Sequence, residues 1–110
     1  MTKDNYDFCL ILVTVGSEEE SAKLANALLT EKLAACINIL PIRSFYSWKG
    51  EIQNDQEWQL LIKTRSNLFE KLAERVKILH SYDVPEIIAL PIVAGSLPYL
   101  TWIADNTQVI

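Results

Sequence analysis

The stretch Cys36-Ile37-Asn38-Ile39-Leu40-Pro41-Ile42-Arg43-Ser44-Phe45-Tyr46-Ser47-Trp48 (CINILPIRSFYSW) decides the fold. It is strand-like throughout and runs for thirteen residues before the turn signal Lys49-Gly50-Glu51. At about 3.3 Å per residue an unbroken strand of that length spans roughly 43 Å. A domain of 110 residues has a radius of gyration near 13 Å, hence a diameter of roughly 35 Å. The hairpin should therefore overhang its own globule or bend at Pro41. The return strand, Glu57 to Thr64 (EWQLLIKT), alternates Trp58, Leu60 and Ile62 with Glu57, Gln59, Leu61 and Lys63. The overhang carries Phe45, Tyr46 and Trp48, with Trp58 on the return strand. An aromatic ribbon left in water is an aggregation liability. Either these rings fold back onto the local core, or they pack on another copy of the chain by strand addition. The second reading is preferred, because helices cover one sheet face and the other needs a cover.

The segments around the hairpin complete the plan. Phe8 to Val15 (FCLILVTV) is an apolar, β-branched run closed by Gly16, the pattern of a strand buried on both faces. Ser17-Glu18-Glu19-Glu20 fits a capping box, and its three glutamates suit the positive end of a helix dipole. Ala22, Ala25, Leu28, Leu29 and Leu33 recur at helical spacing, so this helix runs to about Lys32. After the hairpin, Ser66 caps a helix with the stripe Leu68, Leu72, Val76, Leu79. Residues 80–85 form a loop, because Pro85 disfavours helix before it. Glu86 to Val93 reads as a strand, at an edge or bulge because of Pro91. Ser96 caps a short last helix with Pro98 in its first turn and Leu100 and Ile103 inward. The order β-α-β-β-α-β-α is an α+β, ferredoxin-like βαββαβ sandwich with an extra C-terminal helix and a long β-hairpin. Right-handed crossovers place the first and third strands centrally.

One domain, residues 1–110, accounts for the length. Half the residues are hydrophobic, enough for a core without staples, and disorder is excluded on the same ground. Fourteen acids against ten bases give a net charge of −4, which argues against nucleic acid as a partner. No apolar run approaches the ~20 residues that cross a bilayer, so no membrane partner is expected. The N-terminus is polar with no apolar h-region, and two cysteines make no disulfide framework. The expectation is a protein of the reducing cytoplasm.

The candidate chemistry is sparse. His80 is the single histidine, next to Tyr82 and Glu86. It is either a ligand for copper or zinc or a cap on the last carbonyls of the preceding helix. Cys36 opens the second strand and reads first as a packing residue, second as a metal ligand. Cys9 lies inside an apolar run and reads as core. No C-x-x-C or H-x-x-H is present, so a closed zinc site within one subunit is not expected. A site shared between subunits through His80, Cys36 or carboxylates stays open. Lys63 and Glu86 at strand ends, with Tyr82 between them in the chain, form either a cluster for a small anion or organic ligand in an inter-subunit cleft, or a structural Lys–Glu pair. No nucleophile elbow, dinucleotide fingerprint or P-loop occurs, so no enzyme activity is expected.

Taken in order, Leu33-Ala34-Ala35-Cys36-Ile37-Asn38-Ile39 with Pro41, Ser44-Phe45-Tyr46-Ser47-Trp48-Lys49-Gly50, Glu57 through Leu61-Ile62-Lys63-Thr64, His80-Ser81-Tyr82-Asp83-Val84-Pro85-Glu86-Ile87-Ile88, Pro91-Ile92, and Gly95 with Tyr99-Leu100-x-Trp102 resemble the CutA family of small proteins linked to divalent-cation tolerance. The resemblance spans nearly the whole chain. It implies a ferredoxin-like subunit in a tight homotrimer like that of the PII signalling proteins, with clefts between subunits, and no established reaction. It implies a divalent metal ion, copper foremost, as partner. Some members are assigned copper ligands as adjacent histidines plus a first-strand cysteine. Here the first histidine is Leu79 and the cysteine position is Val13, so that set is not carried over intact. Two functions follow: a non-enzymatic trimer binding copper or another divalent cation, or a PII-like signalling or scaffold trimer binding a small organic effector or a protein partner at its clefts.

Overall fold

The computed structural model describes residues 6–109; the reading of residues 1–5 as polar lies outside that range. The elements are β1 (Phe8–Val15), α1 (Glu18–Thr30), β2 (Cys36–Trp48), β3 (Glu51–Arg65), a 3-10 turn (Ser66–Leu68), α2 (Phe69–Leu79), β4 (Ile87–Pro91) and α3 (Leu97–Asp105). They form one antiparallel sheet in the order β2-β3-β1-β4, with the first and third strands central as the crossover rule requires. The fold is ferredoxin-like.

Local chemistry explains most boundaries. The Ser17 hydroxyl accepts from the Glu20 amide at 3.1 Å and starts α1. The Glu20 side chain does not return to Ser17, as a full capping box would have it, but bonds Ser81. α1 stops at Thr30, two residues before the expected end, because Lys32 turns left-handed at φ 57°. Ser66 and Ser96 do not cap by side chain, contrary to expectation. Ser66 instead opens the 3-10 turn and donates its amide to the Asp7 carbonyl at 2.8 Å. β4 is shorter than expected, and Pro91 is harmless there because β4 is an edge.

The core lies between the sheet and helices α1 and α2. Strand alternation sends Cys9, Ile11, Val13 and Val15 of β1 and Leu60 and Ile62 of β3 onto Leu24, Leu28, Leu68, Leu72 and Val76. Trp58 packs against the edge of this core and is not part of the overhang. Thr64 is fully buried among apolar groups and gives its proton to the Leu33 carbonyl at 2.6 Å.

The hairpin is unbroken. Pairing runs continuously from Cys36↔Lys63 through Pro41↔Trp58 to Trp48↔Glu51, with no bend at the proline. Lys49 (φ 51°) and Gly50 (φ 79°) form the two-residue turn, the positive-φ pair that matches strand twist. β1 ends opposite Trp58, so residues 42–48 and 51–57 continue as a two-stranded ribbon. The molecule is 44 Å in its longest dimension. Phe45 (65 %) and Trp48 (59 %) are exposed, so the rings do not fold back onto their own core.

Candidate functional site

The sheet face away from α1 and α2 is laid out in rows by the strand register. One row is Leu40, Gln59 and Thr14, extended by Glu86 just before β4. The next is Asn38, Leu61, Leu12 and Ile88, and the third is Cys36, Lys63, Leu10 and Leu90. A polar row therefore lies two rows from a row holding one cation, with an apolar band between. α3 meets this face at the end of β3. Arg65 donates from Nη2 to the Ala104 carbonyl (2.7 Å) and from Nε to the Thr107 hydroxyl (3.0 Å), which pins the helix terminus.

The polar row continues into a network at the base of the ribbon. Gln59 donates from Nε2 to Thr14 Oγ1 (3.1 Å) and Glu86 Oε2 (3.2 Å). His80 is buried and spans two backbones: Nε2 donates to the Thr14 carbonyl at 2.7 Å and Nδ1 accepts from the Tyr82 amide at 3.0 Å. The two bonds satisfy both ring nitrogens. Its side chain does not cap α2, whose carbonyl at Val76 takes the His80 amide instead. Glu20 Oε2 lies 3.6 Å from His80 Nδ1 and both its oxygens hold Ser81. Tyr82 reaches back across the strand end and donates to Glu57 Oε2 at 2.8 Å. Burial, and next the bond to the Glu57 carboxylate, push its phenol well above the ordinary range. Gly16 makes room for it: a Cβ there would stand 3.0 Å from the Tyr82 oxygen.

The residues singled out in the sequence are thus divided. Tyr82 and Glu86 share the network, but Lys63 is two rows away and does not pair with Glu86, whose partner is Gln59. Lys63 instead meets α3: its Nζ lies 3.5 Å from the Tyr99 hydroxyl and 5.6 Å from the centre of that ring. Tyr99 stacks on Trp102 at 5.5 Å. His80 and Cys36 are also apart. Cys36 is opposite Lys63, and Thr14 is opposite Gln59 on the other side of β3. Four residues along and two strands across separate them by about 16 Å. Cys9 is buried in the core, and burial raises its thiol pKa.

These positions test whether one chain fits a metal. Both nitrogens of His80 are already engaged, Cys36 is distant from it, and the cross-strand neighbour of Cys36 is an ammonium that opposes a cation. Among the described residues no group of three or more His, Cys, Asp or Glu is placed to hold an ion. Within a single chain the residues do not fit a copper site. Glu57, Gln59 and Thr14 were missed because a polar side chain on an alternating strand reads as solvated, and Glu20 on α1 was read as a capping-box residue although it bonds Ser81. The signal available was Gln59 and Thr14, cross-strand polar neighbours on the face away from the helices.

Residues 9–106 match the family model described as "CutA1 divalent ion tolerance protein". The chain belongs to that family. It is 54% identical over 99 residues to the divalent-cation tolerance protein CutA of Thermus thermophilus, covering 89% of this chain and 96% of that one. It is 52% identical over 100 residues to the chloroplastic CutA of Arabidopsis thaliana, covering 90% of this chain and 55% of that one. Among solved structures, the periplasmic divalent cation tolerance protein CutA of Archaeoglobus fulgidus superposes with a TM-score of 0.90 at 42% identity, over 92% of this chain and 99% of that one. CutA1 of the psychrotrophic Shewanella sp. SIB1 superposes at 0.93 and 34% identity, over 96% of this chain and 100% of that one. Among the described residues no helix is long and apolar enough to cross a membrane.

Proposed function

We propose that the chain acts as a non-enzymatic homotrimer of the divalent-cation tolerance type, with its cation-dependent role exercised at sites completed between subunits. The observation that carries this reading is the unfinished sheet. Its open face bears Leu10, Leu12, Leu61, Ile88 and Leu90, and its ribbon extends past β1 with exposed aromatic rings. The two edges, β2 and β4, are different strands. Pairing one copy's β2 with the next copy's β4 is a head-to-tail contact, which must close into a ring to avoid a filament. Three is the ring that the family resemblance implies.

Copper suits a thiolate and an imidazole. Since one chain holds Cys36 and His80 far apart, a shared ion takes them from different copies, and His80 releases a backbone bond to reach it. Both cysteines are free, which suits a reducing compartment such as the cytoplasm. Light scattering on the apo-protein should give the mass of three chains. Calorimetric titration of chelator-treated protein with copper and with zinc should show binding that is lost in His80→Ala and in Cys36→Ser. Well-folded monomers at dilute concentration overturn the assembly, and a trimer that takes up neither metal overturns direct binding.

A further inference from the structure

We draw no further inference here: the strongest candidate, the cavity that Cys9, Ser66, Phe69 and Pro91 line between the start of α2 and the β4 edge, opens where the proposed assembly seats the next copy's β2, and nothing in the structure shows what covers it.

Discussion

Removing the ribbon's aromatic rings tests the assembly most directly. In one chain Phe45 is 65 % and Trp48 59 % exposed. Aromatic side chains bury ~150–250 Å² when fully covered, so each ring here has on the order of 130–150 Å² left to bury. At ~25 cal/mol per Å² that is about 3–4 kcal/mol per ring. Side-chain ordering and incomplete coverage reduce it, and about 3 kcal/mol per chain for both rings together is a working value. Ring closure multiplies the loss, because each of the copies contributes its own ribbon. The variant Phe45→Ala with Trp48→Ala should therefore dissociate at concentrations where the parent chain stays assembled. It should also melt earlier in a concentration-dependent way. Light scattering across a dilution series, with circular dichroism melts at two concentrations, reads both effects. Both rings are exposed on the ribbon beyond the end of β1, so fold loss is not a competing explanation. Unchanged molar mass together with unchanged melting refutes the intermolecular role of the ribbon.

Three further outcomes follow from the network and the core. The Tyr82 phenol holds its proton more tightly folded than unfolded, so above the unfolded value near pH ~10 the unfolded chain releases a proton that the folded one keeps. Stability then falls as pH rises, present in full below that value. The limiting slope for one proton is ~1.4 kcal/mol per pH unit, and the 40 % exposure of the residue narrows the pH window over which it acts. Urea melts from pH 9 to 11 should show that part of the slope vanish in Tyr82→Phe; identical slopes count against it. Gly16→Ala should cost about 1 kcal/mol by displacing the Tyr82 ring, and the cost should shrink in the Tyr82→Phe background, as a double-mutant cycle would reveal. Thr64→Val strips the bond to the Leu33 carbonyl and should cost ~1–3 kcal/mol in the same melts; a neutral result would mean that water replaces the hydroxyl.

Much of the fold was readable because it rests on local rules. Alternation located the core faces of β1 and β3, and Gly16 and Ser17 located the start of α1. The length of the 36–48 stretch exposed the overhang before any contact was known. What failed was local as well. Ser66 and Ser96 look like caps, but a serine before an apolar stripe says nothing of whether its hydroxyl faces the amides of the first turn. The His80 side chain could be placed in a loop, yet its partner, the Thr14 carbonyl, is 66 residues away in the chain and has no signature.

The candidate site shows where legibility stops. The register of β2 on β3 follows from the turn alone: once Lys49 and Gly50 are the two loop residues, every pair is equidistant from them, and Cys36 must face Lys63. No tight turn links β3 to β1 or β1 to β4. Their registers are chosen by tertiary packing, through which of several apolar alternations best fills the space over α1 and α2. Lys63 and Glu86 therefore share a face, which period-two alternation supports, but not a row, which only the β1 registers determine. A slip of two residues in either register would preserve every core-facing position and bring other rows into line. The pairing of Glu86 with Gln59, and of Lys63 with Tyr99, is thus a consequence of how the core closes. A chain in which the Gln59–Thr14–Glu86 bonds were lost but the core kept intact should retain the same rows, because the register is held by the buried side and read out on the open one.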